Sequence, residues 1–377
     1  MEKRITVIIL IKVLTFAHSS NVSVKSYYIT EVCNRKTEKT YFSVFVILLI
    51  MIPITTLGNT FVVIVIGFTP KLRKNTTYFV LLSLAFADFL VGCITVPINA
   101  KRVYNNKLFC LSKYACISVL YMECFLSIAS MTHLFSIAIE RYLSLKIPFQ
   151  FTLSESSASI YKWLLSVWAY AFFWSFLGIF KWNKSTRFPI IKYIFNYSSV
   201  VYDPRNGSCI SDNQIYFTTV YVVCFCLPAI LMGYIYYFVY KTTLRHIHQI
   251  SQSEIGELNL RTSRRKLRQQ KLFTSVFIVF LVYISCWLPT FVFLFLKFYN
   301  KNLIDQFKKK QPLIFQITVI IVGEILPPLN SALNPVIYVM HNKKFRTSAQ
   351  LILNKICFKR IKRKNATAMA VDLNKSF

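Results

Sequence analysis

Apolar residues run through this chain in long blocks rather than alternating with polar ones. Crossing about 30 Å of hydrocarbon takes roughly 20 apolar residues as helix. Seven runs meet that length, at about 42–68, 78–100, 114–139, 161–182, 215–240, 272–297 and 313–340. Backbone polar groups find no water in hydrocarbon, so runs this long are expected as helices, and the alternating period of a barrel strand is absent. The pattern predicts an all-α membrane protein: a seven-transmembrane helix bundle over 42–340.

The two ends read differently. Residues 1–18 combine a basic start, an apolar stretch broken by Lys12 and small polar residues, the pattern of a secretory signal peptide, with an uncleaved segment as the alternative. Residues 19–41 follow as a tail outside the membrane. Sequons at Asn21, Asn183, Asn196 and Asn206 fall on that tail or on the 183–214 loop, one side in an odd-span topology, whereas Asn75 and Asn365 match on the other side. The three in one loop favour glycosylation there, an outside N-terminus and the plasma membrane.

Composition supports the membrane reading. The chain is 55% hydrophobic and 16% charged, where soluble domains run about 25% charged. Its 45 Lys+Arg outnumber 14 Asp+Glu, a formal net charge of +31. These basic residues lie between the apolar runs, where anionic lipid headgroups account for them and no nucleic acid is needed. Ten cysteines do not make a disulfide scaffold, because Cys93, Cys124, Cys224, Cys226 and Cys286 lie inside the runs. Cys116 and Cys209 sit on the outer side, where an oxidising exterior permits pairing; Cys33 and Cys110 are a second candidate pair.

Carboxylates within hydrocarbon stand out, since insertion of each costs about 2.5–3.5 kcal/mol. Asp88, Glu123, the Glu140–Arg141 pair and Glu324 qualify. From Glu123 to Arg141 is 18 residues, five turns, so both share a face roughly 27 Å apart. Ser130 falls on that face between them. One side of the third helix is therefore polar from end to end, as suits a central helix. In the seventh run Asn330, Ser331 and Asn334 precede Pro335, and in the sixth Trp287 stands beside Pro289. Each proline removes a backbone hydrogen bond and bends its helix, making a hinge or a plain structural kink.

These residues together resemble a class A (rhodopsin-like) G-protein-coupled receptor over about 42–358. The likeness rests on Gly58-Asn59, LAFAD ending at Asp88, Cys116, Glu140-Arg141-Tyr142, Trp168, Pro228 with Tyr236, Cys286-Trp287-Leu288-Pro289 and Asn334-Pro335-Val336-Ile337-Tyr338. It implies a Cys116–Cys209 disulfide and an allosteric sodium ion held by Asp88, Ser130, Asn330, Ser331 and Asn334 beneath Trp287. Arg141 is implied to meet a heterotrimeric G protein, with Tyr236 and Tyr338 closing around it. Phe345 and its basic neighbours imply a short amphipathic eighth helix over 341–357, with Cys357 either palmitoylated or a plain juxtamembrane cysteine, and 358–377 as a cytoplasmic tail. The 241–271 loop, with eight basic residues, belongs to the expected G-protein surface or faces lipid.

Departures from the family narrow the reading. Gln269 stands where some members place an acid that locks Arg141, and Tyr283 replaces the usual phenylalanine below Trp287. The retinal-binding lysine of opsins would fall at Pro328, and no lysine occurs between 311 and 342, so no retinal is expected. Amine receptors carry an aspartate at the position of Glu123. Adenosine receptors have an asparagine where Leu294 stands, and Leu294 cannot make that amide's hydrogen bonds. Stretches such as TTYFVLLSLAFADFLVG and SIAIERYLSLKIP resemble both subfamilies.

Glu324 precedes Asn334 by ten residues, roughly 15 Å, which puts it near the depth of Glu123. Both acids are expected to line one cavity floored by Trp287, with Tyr121, Tyr221 and Phe291 as aromatic walls and Leu294 as apolar contact. Such a pocket favours a small cationic, amine-like extracellular ligand. Alternatively the acids share a proton, or bond to tyrosine and backbone groups without touching ligand. A peptide or nucleoside receptor is the second reading. A seven-helix transporter would show internal repeats, which are absent. The scattered histidines (His18, His133, His246, His248, His341) supply no enzyme cluster.

Overall fold

Seven long helices lie side by side, and six of them carry an apolar window long enough to cross a membrane. The computed structural model describes residues 39–105, 113–146, 157–178, 200–203, 208–211, 214–252 and 257–355, with side chains described over these except at 113–115, 157–158, the two strands, 243–244 and 246–276. Helix α1 is Lys39–Gly67, α2 Thr76–Tyr104, α3 Lys113–Lys146 and α4 Ser157–Leu177. Helix α5 covers 214–252, α6 is Glu257–Tyr299 and α7 Pro312–His341. The helix outside the six is α4, where Lys162, Trp163, Trp168, Tyr170 and Trp174 replace aliphatic residues. It ends at Leu177, short of the sequence expectation. The 241–271 segment, expected as a loop, is helical on both sides of residues 253–256, as its Lys, Arg, Gln and Leu content permits.

Large apolar side chains face outward all round the bundle, among them Leu57, Leu165, Ile230 and Tyr234. In water such a belt would be an association surface; in lipid it is the solvated face. Helix α3 is the hub. Of its spanning window 56% is buried, against 22% for α1, α6 and α7, and it packs against α2, α4, α5 and α6. Its Ser127, Thr132 and Ser136 hydroxyls return their hydrogen bonds to carbonyls one turn back, which removes free donors from an apolar core.

Three helices widen into a π turn: Val91–Thr95 in α2, Tyr221–Cys226 in α5 and Ile321–Ile325 in α7. The register is visible at their exits, where the N–H groups of Val96, Leu227 and Leu326 reach back five residues to Val91, Val222 and Ile321. Each turn precedes a proline: Pro97, Pro228, and Pro327 with Pro328. A proline ring collides with the carbonyl four residues earlier, and in all three cases that carbonyl lies inside the wide turn, where the extra residue gives it room.

Polar links lock the end of the bundle that carries Arg141. Asn59 donates to the Thr55 and Ser331 carbonyls at 2.9 and 3.0 Å, joining α1 to α7. The Tyr78 hydroxyl donates to Asn342 Oδ1 at 2.9 Å, and the same oxygen accepts the Phe345 N–H at 3.1 Å. Asn342 thus acts as an N-cap, and the chain is helical again over 343–355, burying Phe345 and Ala349 while Lys343, Lys344 and Arg346 stay exposed.

One antiparallel hairpin, β1 (Val200–Asp203) with β2 (Ser208–Ser211), pairs Tyr202 with Cys209 and lies against α3. The buried Cys116 near the start of α3 is disulfide-bonded.

Gly92 brings the π turn of α2 against α1. A Cβ there would lie 2.7 Å from Thr56 Oγ1 and 2.9 Å from the Thr56 backbone nitrogen, and backbone cannot swing aside. Gly92→Ala is expected to cost about 1–3 kcal/mol through overpacking. This should appear as a lower melting temperature of the detergent-purified chain, with Gly67→Ala, whose Cβ meets nothing within 4 Å, unchanged.

Candidate functional site

A cavity of about 240 Å³ opens between α2, α3, α5, α6 and α7. All three π turns feed it: Val91 and Thr95 from α2, Tyr221 and Phe225 from α5, and Gly323 from α7. A π turn adds one residue and re-aims the side chains around it, and three at one depth build a concave wall that regular helices would not present. The α7 turn is tied to α6 by Thr290, whose hydroxyl donates to the Val322 carbonyl at 2.7 Å.

Aromatic rings make one side. Tyr221 and Phe291 have centroids 4.6 Å apart, Phe225 and Phe291 4.5 Å, and Trp287 stacks on Phe291 at 5.5 Å. Tyr283 continues this column below Trp287 at 6.2 Å. Such pairs add about 0.5–1.5 kcal/mol each beyond burial. Leu294 lines the same wall, and Pro328 occupies the facing one.

Glu123 is the carboxylate on the cavity surface. Asn99 donates its amide to Glu123 Oε1 at 2.5 Å. Three residues further along α2, Arg102 donates to Glu324 Oε2 at 2.8 Å in an ion pair whose side chains are 21% and 6% exposed. A spacing of three puts Asn99 and Arg102 on one face of α2, so a single turn holds both acids. This corrects two expectations. Glu324 does not line the cavity, because Arg102 draws it into the α2–α7 seam. Tyr121 is also absent from the wall: its hydroxyl donates to the Gly178 carbonyl, turning the ring toward α4. Sequence reasoning missed Asn99, Arg102, Phe225 and Thr290. Phe225 had a signal, since it lies four residues from Tyr221; Arg102 passed as one more membrane-flanking base.

Below Trp287 the cavity reaches Ser130, Asn330 and Ser331. Asp88 is fully buried and accepts from Ser331 Oγ at 2.7 Å and Asn334 Nδ2 at 2.6 Å. Ser130 Oγ and Asn330 Oδ1 are buried with no hydrogen-bond partner among the described residues. At the far end of α3, Arg141 Nε lies 3.1 Å from Glu140 Oε2. Arg141 also donates to the Thr77 hydroxyl, which in turn donates to Glu140 at 2.8 Å. Tyr142 packs on Phe238 with the rings tilted and centroids 5.1 Å apart. Tyr236 and Tyr338 are buried nearby, and the Tyr338 hydroxyl has no hydrogen-bond partner among the described residues. Pro289 and Pro335 interrupt α6 and α7. Asn21, Asn183, Asn196, Asn206, Cys33, Cys110 and Cys357, and the side chains of Cys209 and Gln269, lie outside what the structure describes.

Comparison with known proteins gives the family. The chain is 28% identical over 321 residues to the human (Homo sapiens) 5-hydroxytryptamine receptor 4, covering 79% of this chain and 76% of the relative. It is 28% identical over 305 residues to the Cavia porcellus histamine H2 receptor, covering 80% and 77%. To the Gallus gallus adenosine receptor A2b it is 26% identical over 339 residues, covering 86% and 91%. The 7 transmembrane receptor (rhodopsin family) profile matches residues 58–338, and the chain belongs to that family.

Proposed function

We propose that the chain is a plasma-membrane receptor, N-terminus outside, that binds a small amine-like cation at Glu123 and activates a heterotrimeric G protein at the Arg141 end. The observation that carries this is a single carboxylate on the wall of an aromatic cavity, in the third of α3 far from Arg141. An ammonium there gains a charge-assisted hydrogen bond from Glu123 and cation–π contact with Tyr221, Phe225 or Phe291, each worth about 0.5–2 kcal/mol. Two of the relatives are named for 5-hydroxytryptamine and histamine, both amines. A nucleoside is disfavoured because Leu294 supplies only apolar surface to the cavity.

Bound ligand presses on Phe291, Phe225 and Trp287, and the aromatic column carries the displacement along α6 past its Pro289 bend. At the far end, Arg141 leaves Glu140 and Thr77, and Tyr236 and Tyr338 close around it. With Gln269 in place of an acid, the Glu140–Arg141–Thr77 cluster is the restraint on the resting state. The G-protein surface comprises Arg141, Tyr142 and the facing ends of α5 and α6. Cys209 of the hairpin is the partner of Cys116, which pins β2 over the cavity.

A sodium ion fits beneath Trp287. Ser130 Oγ and Asn330 Oδ1 are oxygens without partners among the described residues, and Ser331 connects that part of the cavity to Asp88. The ion would be held by Asp88, Ser130, Asn330 and Ser331, and it would neutralise a carboxylate that has no cation within ion-pair distance among the described residues. Asn334, which donates its amide to Asp88, orients that carboxylate.

Three outcomes are expected. In membranes carrying the chain and a G protein, a panel of aromatic monoamines should drive nucleotide exchange, and Glu123→Gln should weaken the active member at least about tenfold, near 1.4 kcal/mol. An anionic or neutral best agonist, unaffected by Glu123→Gln, refutes the amine reading. Arg141→Ala should abolish exchange while surface expression, read by antibody on intact cells, is retained. Sodium, compared with potassium, should lower agonist affinity by binding the resting state, and Asp88→Asn should remove that difference in a radioligand competition assay.

A further inference from the structure

Asn99 lines the cavity beside Glu123 and is 8% exposed. Its amide nitrogen donates to Glu123 Oε1 at 2.5 Å, while its Oδ1 is buried with no hydrogen-bond partner among the described residues. The carboxylate decides which end of the amide is which, because an ionised acid accepts and cannot donate. Two neighbours, each one turn away along α2, could have served the oxygen and do not. The Thr95 hydroxyl donates back to the Val91 carbonyl at 3.0 Å. Arg102 sends its guanidinium to Glu324 at 2.8 Å, and its Nε makes no hydrogen bond among the described residues. A buried acceptor without a donor has given up its water for nothing. The Asn99 oxygen is therefore one half of a hydrogen bond, waiting at the cavity wall.

We propose that Asn99 is a specificity-determining residue that selects ligands whose ammonium carries at least two N–H groups. This rests on Glu123 being the ammonium-binding group. Oxygen and nitrogen of one amide are about 2.3 Å apart, so Oδ1 lies no more than about 5 Å from Glu123 Oε1. Two hydrogen bonds of about 2.8 Å leaving one tetrahedral nitrogen end about 4.6 Å apart. A single ammonium therefore reaches both acceptors, with one N–H on the carboxylate and the next on the amide oxygen. The Cβ–Cγ torsion of asparagine is broad, so Oδ1 can turn to the ligand while Nδ2 stays on Glu123. Primary and secondary ammonium groups satisfy both acceptors. A tertiary one gives its single N–H to Glu123 and sets a methyl against the unpaired oxygen, and a site built to bond an N–H rejects that. An Asn99 that only braces α2 against α3 makes a different demand: its loss should weaken every amine alike.

The test is a methylation series on the full-length chain purified in detergent, reading affinity from ligand-induced shifts in melting temperature at neutral pH. The probes are phenethylamine, N-methylphenethylamine and N,N-dimethylphenethylamine, whose ammonium groups carry three, two and one N–H. The unsubstituted chain should bind the first two within about threefold of each other and the third at least about tenfold more weakly, near 1.4 kcal/mol. Asn99→Leu, close in size and without an amide, should bring the dimethyl probe to within about threefold of phenethylamine. Equal weakening with each added methyl marks steric exclusion and overturns the inference. So does a tertiary amine bound as tightly as the primary one. Uniform weakening of all three probes in Asn99→Leu, with the preference retained, is the bracing role and overturns it as well. If Asn99→Leu does not fold, the series on the unsubstituted chain decides alone. Any of these reversals, with Glu123→Gln still abolishing phenethylamine binding, overturns this inference alone. Failure of phenethylamine to bind the unsubstituted chain, or binding indifferent to Glu123→Gln, overturns the amine reading and this inference with it.

Discussion

The seam between α2 and α7 is the constraint on which the rest of the structure depends. Three polar links run along it: Tyr78 to Asn342, Asp88 to Ser331 and Asn334, and Arg102 to Glu324. From Tyr78 to Arg102 is 24 residues, roughly 36 Å of helix, so the seam is stitched across the full apolar thickness. None of these groups can turn to water in hydrocarbon, and losing one member of a buried charged pair typically costs about 3–5 kcal/mol. The position of α7 against α2 is therefore strongly determined. Asn59 extends the stitching to α1 through the Ser331 carbonyl. The cavity occupies the space left inside this frame and the hub helix α3.

Much of this was legible before any coordinates. Helix count follows from the length of apolar runs, because the bilayer imposes one length on every span. The polar stripe of α3 follows from 3.6-residue periodicity, which correctly joined Glu123, Ser130 and Arg141. The same periodicity puts Tyr121, two residues before Glu123, roughly 200° away around the helix, and its contact with Gly178 is the result. Arg102 was hidden for a different reason. In sequence it is a base at the end of an apolar run, indistinguishable from Lys101 beside it, and its partner lies 222 residues away. Only the packing of α2 on α7 separates the half-buried base from the exposed one. The wide turns were hidden too, because a pattern of apolar positions carries no mark of one extra residue; the prolines that follow them were the available sign.

At the Arg141 end the chain solves a familiar problem locally. A guanidinium 8% exposed within a helix bundle needs an acceptor, and here the neighbouring Glu140 and the first turn of α2, through Thr77, supply it. The oxygens that meet Arg141 among the described side chains therefore come from α2 and α3. Among the described side chains, α6 contributes Phe277 and Phe280 packed on Tyr236 instead, an apolar contact that can slide without breaking an ion pair.

The wide turns carry a consequence for how such a protein can change over generations. Each separates the half of its helix at the cavity from the half toward Arg141. Removing one residue from such a turn would rotate everything beyond it by roughly 100° about the helix axis, and leave the other half where it was. Single-residue insertions and deletions, ruinous in most membrane spans, are here tuning screws. The ligand-facing ends of α2, α5 and α7 can be re-aimed one at a time, while the α2–α7 contacts at Tyr78 and Asp88 and the cluster around Arg141 keep their register. A lineage can in this way try new ligands without relearning how to fold.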